Sequence, residues 1–225
     1  MTYTSVIFDL DGTLVDSSQD IANALNRVLA PYGANRLEAA QVVPLLGEGP
    51  AHLVSGAIRA SGASVPDERK IADAYLADYR QRPLDDTALY EGVADVLAIL
   101  AEAGIPLAVC TNKTELISRI VLDGLRVGQY FSTVVGSDRP VNSKPHAEHL
   151  LTAIAELGAD PALSMLVGDS TIDQRCARNA DVPFFAVPWA PPEVDGPRLR
   201  AFKDLPDIVL GTAAPSHTST PEEQK

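Results

Sequence analysis

Ser5-Val6-Ile7-Phe8-Asp9-Leu10-Asp11-Gly12-Thr13-Leu14-Val15-Asp16-Ser17 carries a short apolar run straight into two carboxylates and a glycine. Val6, Ile7 and Phe8 have the composition of a strand buried on both faces, and the run stops at Asp9. Asp9 is therefore expected at a strand's carboxyl end, the edge of an open α/β sheet where ligands bind and a charge stays hydrated. Alternation along an extended chain returns Asp11 to the side of Asp9, and Gly12 permits the tight turn that keeps both acids on one point. Carboxylates so close repel unless a cation lies between them, and hard oxygen ligands of this kind suit Mg²⁺ bound together with a phosphate. Asp-Gly alone is ordinary turn material; the inference rests on the whole string.

Beyond Ser17 the period changes. Ile21, Leu25, Val28 and Leu29 recur at helical spacing, Ser17 to Asp20 reads as a capping box, and Gly33 as a stop. Residues 41–46, 51–60 and 66–80 read as further helical pieces. No strand pattern occurs between 17 and 85, so this block is expected to be an all-helical unit inserted after the first strand. From residue 86 helices alternate with strands at 106–110, 132–135, 165–167 and 184–187, with a last edge strand expected at Ile208 to Leu210. That alternation implies a doubly wound parallel sheet with right-handed crossovers. Asp9 and Asp11, Thr111 and Asn112, and Asp169 each follow the last apolar residue of a strand, so the fold should collect them along one edge. The division expected is an α/β core at 1–16 and 86–212, a helical cap at 17–85, and a disordered Ser/Thr/Pro/Glu/Gln tail at 213–225.

The chain has 225 residues, 46% hydrophobic, enough for one sizeable core with an insert. A net charge of −12 without a long basic tract argues against a nucleic-acid partner, while leaving room for a small phosphorylated substrate in a locally positive cleft. No apolar run approaches the roughly 20 residues that span a bilayer, and no signal-peptide pattern precedes the first strand. A cytoplasmic protein, monomer or homodimer, is expected. Cys110 and Cys176 have no C-x-x-C spacing and read as buried small residues rather than a disulfide or zinc ligands.

Phe8-Asp9-Leu10-Asp11-Gly12-Thr13-Leu14-Val15-Asp16-Ser17 resembles the first motif of the haloacid dehalogenase (HAD) superfamily in its phosphatase form. The resemblance implies an aspartyl-phosphate mechanism, with Asp9 as nucleophile and Asp11 as general acid and base. Thr111 resembles the second-motif hydroxyl that bonds a phosphoryl oxygen, with Asn112 and Gly12 beside it as substrate or phosphate contacts. Lys144 resembles the third-motif lysine that neutralises nucleophile and phosphoryl charge. Val167-Gly168-Asp169-Ser170-x-x-Asp173 resembles the fourth motif, which implies Mg²⁺ held by Asp9, the Asp11 main-chain carbonyl and Asp169, with Ser170 and Asp173 auxiliary. Lys113 stays open between a surface lysine at a helix start and a site residue.

The helical insert sits where the family carries a cap, which implies a small substrate closed off from water. Leu46-Gly47-Glu48-Gly49 resembles the cap's specificity loop, although Gly47 and Glu48 read equally as a helix-helix turn, and His52 as a surface residue. Thr111-Asn112-Lys113 and Ser143-Lys144-Pro145-His146 resemble the phosphoglycolate phosphatase subgroup, which implies 2-phosphoglycolate as substrate. The chain departs from that subgroup at Ala180-Asp181 and at Val187-Pro188-Trp189-Ala190-Pro191-Pro192, where a glycine-rich turn is usual. A phosphosugar mutase or another small-metabolite phosphatase is the alternative among enzymes, and a catalytically silent phosphate-ligand-binding protein the alternative outside them. A phosphonate hydrolase would need a cap lysine, and the insert's only lysine is Lys70, on a charged helix face.

Overall fold

A computed structural model describes residues 2–212; the tail expected to be disordered at 213–225 lies outside the described residues. Strand β1 (Ser5–Phe8) is followed by a two-residue strand, β2 (Val15–Asp16), and then by four helices, α1 (Ser18–Leu29), α2 (Ala39–Val42), α3 (Pro50–Ser61) and α4 (Glu68–Tyr79). The chain returns through β3 (Ala88–Leu89), antiparallel to β2 with Val15 opposite Leu89 and Asp16 opposite Ala88. After that come α5 (Val93–Glu102), β4 (Leu107–Cys110), α6 (Glu115–Gly124), β5 (Phe131–Val135), α7 (Ala147–Glu156), β6 (Ser164–Gly168), α8 (Thr171–Ala180), β7 (Phe184–Ala186) and α9 (Leu205–Leu210).

The five longer strands form one parallel sheet in the order β5-β4-β1-β6-β7. β1 is central and fully buried, so both of its faces must be apolar, and its side chains divide accordingly. Ile7 packs with Ala108, Cys110, Leu166, Leu150 and Ile154 on the α7 side, whereas Val6 and Phe8 join the larger core on the other face. The order reverses at β1: β4 lies on one side and β6 on the other. The carboxyl ends of these strands are thus the topological switch point where a crevice opens.

Two local expectations are corrected. Ile208 to Leu210 belongs to α9, because Leu205 and Val209 are buried at helical spacing, Pro206 suits a first turn and Gly211 closes the helix with φ +72. Ser17 does precede α1, but its hydroxyl makes no cap bond. It goes instead to Asp11 at 2.5 Å, and buried Asp20 turns to the returning chain, where it accepts Asp86 N–H, Thr87 N–H and Thr87 Oγ1–H. A buried carboxylate needs several donors, and that need outweighs a local cap. With the β2–β3 ribbon, Asp20 ties together the two passages of chain between sheet and helical block.

Candidate active site

The turn after β1 is built around glycine. Gly12 has φ +86, and a Cβ there would collide with the Asp169 carboxylate, so only glycine lets β1 and β6 deliver their acids this close. Gly12 N–H donates to the Val15 carbonyl at 2.9 Å, while its own carbonyl accepts Trp189 Nε1–H at 2.7 Å. Trp189 is stacked on Tyr90 and Phe202. The loop that departs from the subgroup's pattern therefore buttresses the turn that carries Asp9 and Asp11, a role no sequence pattern announced.

On the sheet side of the crevice the acids converge with one lysine. Lys144 Nζ lies 2.8 Å from Asp9 Oδ1 and 2.7 Å from Asp173 Oδ1, its side chain 1% exposed. Burial acts to lower the ammonium's pKa, but Asp173 and Asp9 outweigh it and hold the value well above the usual lysine range. Asp9 is raised as well, but by the other balance: burial first, then the charge of Asp173, push it up to about 6 despite Lys144 and the Leu10 N–H. Asp169 is likewise raised well above the carboxylate range, by burial and by Asp173 and Asp9, although Thr13 Oγ1–H donates to it at 2.7 Å. Asp173 has both oxygens engaged, one by Lys144 and the other by Ser170 N–H and Oγ–H, and Ser170 in turn caps α8. Asp173 thus positions Lys144, and Ser170 positions Asp173.

One carboxylate oxygen from each of Asp9, Asp169 and Asp173 lies within 4.8 Å of the others. Asp9 Oδ1 is buried with Lys144 beside it but no donor aligned to it as a hydrogen bond. Three desolvated acids against one ammonium, with an under-coordinated oxygen, match what a hard divalent cation requires. Because Asp173 is already committed, Asp9 and Asp169 are the side chains suited to hold it.

The opposite wall comes from the helices. A cavity of about 50 Å³ lies between Asp9, Asp11, Thr111, Asn112 and Lys113 on one side and Leu45, Leu46, Gly47, Leu53, Tyr75 and Tyr79 on the other. Lys113, left open by the sequence, lines this cavity. Its ammonium donates to both Asp11 oxygens at 2.6 Å, lies 4.9 Å from the centre of the Tyr79 ring, and its side chain is 6% exposed. Asp11 accepts Ser17 Oγ–H as well. Tyr79 has a buried hydroxyl beside Ser17 and Thr87, and burial raises its pKa well above the usual range.

Asn112 lines the cavity and bridges its two walls. Its Nδ2 donates to the Gly47 carbonyl at 2.6 Å and the Lys144 carbonyl at 2.9 Å, and its Oδ1 accepts Lys144 N–H at 3.1 Å. Gly47 joins the site through that carbonyl. Glu48 turns to His52 Nδ1 at 3.0 Å, both half-exposed and outside the cavity lining. Thr111 is buried and lines the cavity, its Oγ1 accepting Lys113 N–H. Sequence reasoning missed Thr13, Ser17, Tyr75, Tyr79 and Trp189; Thr13 and Ser17 lay in the quoted motif, but only Ser17 meets a near neighbour, Asp11, whereas Thr13 meets Asp169.

Comparison with known proteins fits this geometry. A family profile described as haloacid dehalogenase-like hydrolase matches residues 6–187. The chain is 35% identical over 222 residues to the phosphoglycolate phosphatase of Caulobacter vibrioides, covering 94% of each chain. It is 38% identical over 186 residues to that of Rhodospirillum rubrum, covering 80% of this chain and 77% of the relative. Among solved structures, a predicted phosphoglycolate phosphatase from Haemophilus somnus 129pt shares the fold, with a TM-score of 0.83 at 24% identity over 92% of this chain and 98% of the other.

Proposed function

This chain belongs to the haloacid dehalogenase-like hydrolases, and on that footing we propose that it is a Mg²⁺-dependent phosphatase whose substrate is 2-phosphoglycolate. The observation that carries the reading is the meeting of Asp9, Lys144 and Asp169 at one end of the sheet, from the ends of β1 and β6 and the loop between β5 and α7. Relatives covering nearly the whole chain and named phosphoglycolate phosphatases support the substrate.

Asp9 attacks phosphorus in line; the new Asp9–phosphorus bond forms as the ester P–O bond breaks, and the proton of Asp11 goes to the departing oxygen. Asp11 then takes a proton from water as that water's oxygen attacks phosphorus, releasing phosphate and restoring Asp9. Lys144 neutralises Asp9 and the phosphoryl oxygens, and Thr111 supplies a hydroxyl to one of them. Mg²⁺ held by Asp9 and Asp169, with the Asp11 carbonyl, would supply the charge neutralisation that lets an anionic carboxylate meet an anionic ester. Asp173 and Ser170 keep Lys144 in place, and Asn112 joins the Gly47 loop to the Lys144 loop.

Among the described residues no helix is long and apolar enough to cross a membrane, and both cysteines are free and buried; we place the enzyme in the cytoplasm, where thiols stay reduced. Phosphate release from 2-phosphoglycolate, sugar phosphates, nucleotides and pyrophosphate, with Mg²⁺ and with chelator, tests the proposal. Preferred, Mg²⁺-dependent hydrolysis of 2-phosphoglycolate is expected. Silence on every ester would overturn the phosphatase, and preference for another ester would overturn the substrate.

A further inference from the structure

We propose that Lys113 recognises the leaving group: a carboxylate of the substrate takes the place of Asp11 on the Lys113 ammonium, and that exchange releases Asp11 to reach the ester oxygen. The inference rests on 2-phosphoglycolate as substrate and assigns the residue that selects it.

Among the described residues lining the cavity, Lys113 is the one cationic side chain. Leu45, Leu46, Leu53, Leu76 and Ile117 make most of the remaining wall apolar, and an anion set against such a wall without a cation is strongly disfavoured. Lys144 does not line this cavity and lies between Asp9 and Asp173. The cavity's 50 Å³, where one water needs about 10–15 Å³, has room for a small polar leaving group such as glycolate. A carboxylate fits this space because the space already holds one. Asp11 meets the ammonium with both oxygens at 2.6 Å while Ser17 Oγ–H donates to one of them.

That arrangement also restrains Asp11. With both oxygens turned to Lys113, it must let go before it can meet a leaving-group oxygen. A second carboxylate competes for the same ammonium, whereas a neutral leaving group offers Lys113 nothing in exchange and leaves Asp11 where it is. Tyr79, from α4, has its ring against the ammonium, so the helical wall covers the pair and keeps it from water. Selection should therefore be felt in kcat as well as in KM.

The test compares 2-phosphoglycolate with 2-hydroxyethyl phosphate, the same ester with its carboxylate replaced by a neutral hydroxymethyl group, in wild type, Lys113→Met and Lys113→Arg. A charge-assisted contact predicts a wild-type preference for 2-phosphoglycolate of about 30- to 100-fold in kcat/KM, part of it in kcat. Lys113→Met should reduce the preference to about 3-fold or less and Lys113→Arg should retain part of it. Equal turnover of both esters by wild type, or an equal loss on both in Lys113→Met, would overturn the role of Lys113 while 2-phosphoglycolate hydrolysis stands. Wild type that ignores 2-phosphoglycolate but hydrolyses other esters would overturn the substrate itself. Product inhibition of the wild type gives an answer even where Lys113→Met does not fold. Glycolate should compete with substrate and ethylene glycol should not; inhibition by both alike, or by neither, would contradict the proposal.

Discussion

The crevice holds two lysine–aspartate contacts that differ in how they are anchored. Lys144 is walled in by the sheet and the loops at its edge, between Asp9 and Asp173, and its backbone N–H is met by Asn112 Oδ1 and His149 Nδ1. Lys113 reaches across to Asp11 under a tyrosine that belongs to the helical block. The first lysine is held by two carboxylates within the sheet-edge loops; the second is held by one and covered by a ring of the helical block. The doubly paired lysine thus sits beside the proposed nucleophile, and the singly paired one at the proposed acid.

Asp9→Asn should break the fixed side most completely, lowering kcat by about 10³-fold or more while leaving the fold intact. Circular dichroism alongside phosphate release checks this. Lys144→Met comes next, with a loss of about 10²- to 10³-fold in kcat and about 3–5 kcal/mol of stability, because Asp9 and Asp173 are left buried without their partner. Urea unfolding measures the second effect, and a variant as stable as wild type would mean the network is looser than its distances say.

His149 provides a pH test of the same side. It accepts Lys144 N–H at Nδ1, its Nε2 donates to the Val135 carbonyl, and burial followed by the charge of Lys144 lowers its pKa from 6.5 to about 4. Since the folded value lies below the unfolded one, this contribution is complete above pH 6.5 and is lost as pH falls toward 4. It should remove about 2 kcal/mol between pH 7.5 and 5, and His149→Gln should flatten that part of a stability profile measured by urea midpoints. Asn112→Ala acts on the link between the two sides and has the smallest effect. Losing its bond to Gly47 should raise KM about 5-fold with kcat nearly unchanged; a fall in kcat alone would assign Asn112 to the chemistry instead.

The same contrast describes what could be read from the sequence. Asp9, Asp11, Thr111, Asn112 and Asp169 were legible because strand-end position follows from apolar runs of three to five residues, and a parallel sheet collects such ends. Lys144 came from a motif rather than from periodicity. The β2–β3 ribbon was not legible, since two-residue strands are too short to show alternation. Lys113 was undecidable because its role depends on Tyr79 folding back over 34 residues of sequence, and Trp189 because its partner, the Gly12 carbonyl, is a backbone group 177 positions away. Ser17 and Asp20 were misread as a local cap because the buried partners that claim them lie across the turn and across the returning chain.

Chemical trapping tests the nucleophile itself. Acid quench during turnover of 2-phosphoglycolate, followed by borohydride reduction and peptide mapping, converts a phosphorylated aspartate into homoserine. Homoserine at position 9, absent without substrate, is the expected result. Homoserine at another aspartate, or none at all from an enzyme that is turning over, would contradict the assignment of Asp9.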